Sequence, residues 1–175
     1  MAEGWDWVRV QSEPCPWCGF DPPDDLAPVA RDEAAAWSSW LRGVALDVDL
    51  RRRPSPEVWS AIEYACHVRD TLAVFTDRIR RVLVEDEPTF GWWDHEAAAV
   101  EDRYAEADPV VAANAIWAHG ADLVSVLSSV PDDGWSRRAV RREGEHFTAV
   151  GLARFVLHEA HHHRADARRS LEGFV

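Results

Sequence analysis

Apolar residues recur at steps of three and four along most of this chain. From Val29 to Val44, the positions Trp37, Trp40, Leu41 and Val44 fall on one helical face. Asp24 or Asp25 stands where an N-cap belongs, and the helix is expected to end between Gly43 and Asp49. A second start signal follows in Ser55-Pro56-Glu57: a cap, a proline at the first helical position and an acid that suits the helix dipole. Behind it Val58, Ile62, Ala65, Leu72, Phe75, Ile79 and Val82 keep helical spacing to about Val84. Asp86 to Gly91 reads as a loop and Asp94 to Ala107 as a short helix. Asp108-Pro109 opens a third long helix, which Pro131 ends after Ser129. Trp135 to Thr148 has the texture of a small hairpin or extended loop, with Glu143-Gly144 at its turn. Thr148 then caps a last helix to about Leu171. Four long helices without a strand-rich region predict an all-α fold, a four-helix bundle over residues 24–175. Residues 1–23 hold no period, because Pro14, Pro16, Pro22, Pro23 and Gly19 crowd around Cys15 and Cys18. They are expected to form an irregular lead segment draped on the bundle.

Composition narrows the setting. A chain of 175 residues is the size of one domain, and its 19 basic against 31 acidic residues leave a net charge of −12. Every basic residue is arginine. So negative a chain is expected to bind neither nucleic acid nor an anionic membrane surface, whose phosphates would repel it. Trp5, Asp6 and Trp7 stand where a signal peptide needs an apolar run, and no stretch reaches about 18 consecutive apolar residues, so a cytoplasmic location is expected. Three cysteines in a reducing compartment predict no disulfide framework.

The histidines carry the candidate chemistry. On the last helix Gly151, Phe155, His158, His162, Ala165 and Arg169 step by four and three, which puts His158 and His162 on one stripe. Imidazoles at i and i+4 converge and can chelate a divalent cation on the inner face of a bundle. On this phase His161 and His163 read as solvated. His67 on the second helix is the third candidate; His95, His119 and His146 are weaker, having no partner at chelating spacing. His158-Glu159-Ala160-His161-His162 matches the H-E-x-x-H pattern of zinc proteases, but no strands precede it and no third ligand follows at the family spacing, so the match is accidental. Cys15-Pro16-Trp17-Cys18-Gly19 has the shape of a zinc knuckle, half of a tetrahedral site, with a redox pair or two plain thiols as the alternatives. Cys66 adjoins His67 but points about 100° away around the helix, which excludes it from the same site. Arg141 and Arg142, with Arg137 and Arg138, would clamp a carboxylate or a thiol cofactor if the hairpin folds over the site; the plainer reading is a solvated strand pair. Trp37, Trp40, Trp59 and Trp117 read as core.

Two segments resemble a known family. Trp59-Ser60-Ala61-Ile62-Glu63-Tyr64-Ala65-Cys66-His67 is similar to the second-helix signature of the DinB-like superfamily, with a histidine eight positions after a tryptophan. Phe155 to His163 resembles its last-helix signature. The resemblance covers about residues 24–172 and implies a four-helix bundle holding a divalent metal by three histidines, which fall here on His67, His158 and His162. Related members include thiol-dependent transferases and a mycothiol-dependent maleylpyruvate isomerase in which one ligand of the last helix is a glutamate. Glu159 and His163 have that spacing too, but the stripe of Gly151, Phe155 and Ala165 favours His158 and His162 as the inward pair. The function so implied is metal-dependent activation of a low-molecular-weight thiol, mycothiol or similar, for S-transfer or isomerisation. Glu159 is then a candidate proton acceptor and an electrophile the second substrate; zinc or nickel is the expected metal. A non-catalytic metal-binding stress or interaction protein, dimerising through tryptophan-rich faces, is the competing class.

Overall fold

The computed structural model describes residues 6–45, 48–142 and 145–172. Among the described residues five α-helices follow one another: α1 (Leu26–Val44), α2 (Ala61–Val84), the short α3 (His95–Glu101), α4 (Pro109–Ser129) and α5 (Ala149–Arg169), with a hairpin of β1 (Arg138–Arg142) and β2 (Glu145–Thr148) before the last. The long helices form the bundle. Both α1 and α2 pack against α4 and α5, so consecutive helices of each pair stand on a diagonal. Trp37, Leu41, Ile62, Ile79, Ile116, Leu123, Leu152 and Leu157 fill the centre, all fully buried. The all-α expectation holds.

The ends of the helices follow local chemistry. The Asp108 carboxylate accepts from the amides of Val110 and Val111 at 2.8 and 2.9 Å, and Thr148 Oγ1 accepts from the Gly151 amide at 3.1 Å. The second helix starts later than Ser55-Pro56-Glu57 predicts. That tripeptide enters a turn closed by the Val58 amide on the Ser55 carbonyl. Ser60 is the N-cap instead, and Glu63 reaches back to accept from its amide at 2.9 Å and its hydroxyl at 2.6 Å. Two start signals lay in series, and the reciprocal one won. Similarly, the stretch expected as one short helix to Ala107 stops at Glu101, where Arg103 takes a left-handed φ of 51° and a 3-10 turn follows over Tyr104–Glu106.

Small residues let α1 and α4 approach closely. A Cβ added to Gly120 would lie 2.3 Å from the Ala34 Cβ. α4 is long and apolar enough to cross a membrane by length and composition alone, and here it is a helix of the bundle. Trp117, expected in the core, is on its outer side and 48% exposed. The hairpin is antiparallel, with Ala139 opposite Phe147 and Val140 opposite His146. Residues 143 and 144, expected at its turn, lie outside the described residues. Arg137 donates to the carbonyls of Val82 and Glu85 at 2.6 Å each, which ties the start of the hairpin to the end of α2.

The lead segment, expected to be irregular, carries a 3-10 helix over Trp7–Gln11 capped by the Asp6 carboxylate, and it is firmly attached. Arg154 of α5 donates to the carbonyls of Pro23 and Gln11 and to the Asp24 carboxylate, each at 3.1 Å. Val10, Cys15 and Phe20 are buried in the same core as the helices.

Candidate metal centre

α5 carries histidines or acids at 158, 159, 161, 162, 163 and 166, and its neighbours decide what each can do. His67 of α2 meets Glu159 and His163 of α5, with one donor atom from each within 4.8 Å of the others. His67 Nε2 and His163 Nε2 lie 3.6 and 3.5 Å from Glu159 Oε2. His158 and His162 meet Cys15 and Cys18 instead, again with one donor atom from each within 4.8 Å of the others, and the two groups adjoin on the same cavity. The expected set of His67, His158 and His162 is therefore divided between two groups. The physical reason is the lead segment. Trp7, Cys15, Cys18 and Phe20 lie against His158 and His162, while Glu159 and His163, one residue further round the helix, meet His67. His163, expected to be solvated, belongs to the first group, and so does Glu159. His161 does stand apart, 2.8 Å from the Glu33 carboxylate that Arg164 also holds. Cys66 is in neither group; its sulfur lies 3.9 Å from the Arg69 guanidinium.

The electrostatics of the first group suit a cation. Burial pushes His67 down to about 4, so its imidazole is neutral near pH 7. Burial acts on His163 in the same direction, but hydrogen bonds to Asp166 and Glu159 outweigh it and raise His163 to about 9. Burial would raise Glu159, yet the three histidines around it hold its carboxyl well below the usual range. Positive charge is thus favoured between Glu159 and Asp166 even where a proton is its only source. His67 Nδ1 is buried without a hydrogen-bond partner. Two imidazoles and a carboxylate are a donor set for zinc, nickel or another first-row divalent ion, and these residues fit one. Asp166 Oδ2 lies 3.0 Å from His163 Nδ1, which leaves Nε2 directed at Glu159. A carboxylate behind a ligating histidine is the usual means of fixing its ring. Trp93 stacks on His67 at 5.5 Å and 5°, and Tyr64 on His163 at 5.5 Å and 23°.

The group opens into a cavity of about 520 Å³ with Trp59, Trp93, Phe75 and Phe155 in its walls. Arg141 reaches it, as the hairpin reading expects, lying 4.8 Å over the Phe155 ring and paired with Glu145 at 2.7 Å. The side chain of Arg142 lies outside those described. A second cation, Arg78 of α2, was not expected. It is buried and donates to the Gly91 carbonyl at 3.0 Å; burial, then the nearby Arg141 and Arg81 charges, lowers it to about 10. Within the apolar arc of α2 it is a charge at a core position, and that was the signal in the sequence. His95 lines the same cavity, its ring 5.5 Å from that of His67. His119 is engaged elsewhere, on the Arg69 carbonyl at 2.9 Å, and His146 is an exposed residue of β2.

The fold and the site together are those of a four-helix bundle in which two imidazoles and a carboxylate from two facing helices open into an aromatic cavity. The family model of the DinB superfamily matches residues 22–167, and the chain belongs to that superfamily. Comparison with curated protein sequences returns no match. Among solved structures, the chain is similar to YfiT from Bacillus subtilis, with a TM-score of 0.75 at 18% identity, covering 89% of this chain and 93% of that one. YfiT is described as a probable metal-dependent hydrolase with an unusual four-helix bundle topology. At that identity the likeness concerns the fold.

Proposed function

We propose that the protein is a divalent-metal-dependent enzyme that activates a small thiol, of the mycothiol type, for S-transfer or isomerisation, with His67, Glu159 and His163 as metal ligands. The observation that carries this reading is a three-residue donor set set into the wall of an aromatic cavity. Three protein ligands leave room for a small molecule, the arrangement of catalytic sites and not of structural ones. When bound, a divalent ion supplies Lewis acidity that makes a coordinated thiol or water acidic near neutral pH. The chain's own groups do the rest. Asp166 holds the His163 ring, and Trp93 keeps His67 in place by stacking on it. Trp59, Phe75 and Phe155 keep bulk water from the reacting atoms. Arg78 and Arg141 present positive charge to a carboxylate on the electrophile. Glu159, first read as a proton acceptor, serves as a ligand in this scheme. The setting we infer is the cytoplasm, with a small thiol and an electrophile as partners.

Hydrolysis is the second reading, favoured by the description of YfiT; water would then take the place of the thiol. The test is turnover by metal-loaded protein, following thiol consumption with an electrophile against ester or amide cleavage without thiol. The proposal expects thiol consumption that disappears in His163→Ala and persists in His161→Ala. Cleavage without thiol would favour the hydrolase. Metal binding without either activity would favour a binding protein.

A further inference from the structure

The second histidine group stands outside that scheme. Cys15 and Cys18 sit on one tight turn, where the Gly19 amide donates to the Cys15 carbonyl at 2.9 Å and the Cys15 amide to the Phe20 carbonyl at 2.8 Å. Gly19 has a φ of 71°, which a side chain would resist. Across from the turn His162 Nδ1 lies 3.7 Å from Cys15 Sγ, while its Nε2 lies 3.4 Å from the Asp166 carboxylate. His158 is 1% exposed and neither of its ring nitrogens has a hydrogen-bond partner. Its Nδ1 is 3.5 Å from Glu159 Oε1, at ion-pair distance but without hydrogen-bond geometry. A buried imidazole left so costs free energy that neighbouring groups normally offset. Trp7 packs against both imidazoles, with ring centroids at 5.7 and 5.4 Å, and Phe20 against His158 at 5.6 Å.

We propose that Cys15, Cys18, His158 and His162 form a closed, four-ligand zinc site that fastens the lead segment to α5. Two sulfurs and two imidazoles match the tetrahedral preference of zinc and are too soft a set for magnesium or calcium. Four protein ligands fill the tetrahedral coordination of zinc and leave no position on it for a substrate, although His158 and His162 border the large cavity, so this ion is structural. A Cys15–Cys18 disulfide is the competing state, and it would leave both imidazoles unserved. Asp166 lies behind His162 here and behind His163 in the other group, so one carboxylate steadies a ligand of each.

The test uses the full chain loaded with cobalt and, separately, with zinc. The wild-type cobalt protein is expected to show thiolate-to-cobalt charge transfer in the near ultraviolet and strong visible bands of a tetrahedral ion. Cys18→Ser is expected to lose that charge-transfer signal and one zinc equivalent per chain. His67→Ala is expected to lose the other equivalent and keep the signal, so failure of this site and failure of the proposed catalytic group are read separately. Should Cys18→Ser not fold, the wild-type cobalt spectrum decides alone. A cobalt protein without thiolate bands, unchanged zinc in a folded Cys18→Ser, or a freshly isolated chain whose mass and thiol count show a Cys15–Cys18 disulfide would each overturn the proposal.

Discussion

Asp166 shows how much one side chain can decide. It faces His163 at 3.0 Å and His162 at 3.4 Å, one from each donor group. Replacing it by Asn keeps the size but gives up the charge that orients both rings. Asp166→Asn is expected to weaken metal binding about 10- to 100-fold while the fold persists, as is usual for partners of ligating histidines; competition with a chelator measures it. The contrast between His163 and His161 makes the same point. The two are two residues apart on α5, yet one faces Glu159 and the other Glu33. His163→Ala is expected to remove an ion that His161→Ala leaves in place, as metal analysis of the two variants will show.

At the scale of elements, the start of α2 is built on Glu63. Burial pushes its carboxyl up, but hydrogen bonds from Arg53 and Ser60 outweigh this and hold it below the ordinary range. Such a group stabilises the folded chain above its unfolded value, and that contribution is lost as pH falls through the lower folded value. Glu63→Gln is therefore expected to cost about 1–3 kcal/mol at neutral pH, set mainly by the buried bonds to Ser60. The half-exposed Arg53 partner adds little. The variant should approach the wild type in stability only as pH falls below the ordinary carboxylate range, through the lowered folded value of Glu63, and urea denaturation at several pH values checks this. The contact of α1 with α4 is the other sensitive element. Gly120→Ala favours the helix locally but forces a methyl onto the Ala34 Cβ. Overpacking between two helix backbones is expected to win by about 1–3 kcal/mol, seen as a lower thermal midpoint.

At the scale of the whole molecule, the lead segment is part of the bundle's chemistry. It contributes Val10, Cys15 and Phe20 to the core and hangs on three hydrogen bonds of Arg154. Arg154→Ala is expected to raise amide hydrogen exchange throughout residues 6–24 and to leave metal binding at His67, Glu159 and His163 intact. Loss of protection spread evenly over α2 and α4 instead would mean that segment and bundle open as one unit.

Much of this was legible in the chain itself. Asp108-Pro109 and Thr148 marked helix starts because capping depends on a few neighbouring residues, and Trp37, Ile62 and Ile79 marked the core by their period. The resemblance in Trp59 to His67 and Phe155 to His163 pointed to the family and to His67. The phase of α5 was not legible. A helix crowded with His158, Glu159, His161, His162 and His163 has several stripes of similar polarity, and period alone ranks them by their apolar companions. That ranking chose His158, which is buried, and His162, which is partly buried, but it could not say by what. Which stripe meets α2 and which meets Cys15 and Cys18 depends on contacts between residues far apart in the chain, His67 with His163 and Cys15 with His162, and on a lead segment without any period of its own. Local sequence determined the helices and their caps because those interactions span three or four residues. Only the tertiary structure decided the pairing of the donors, because a ligand set is assembled by packing between distant elements.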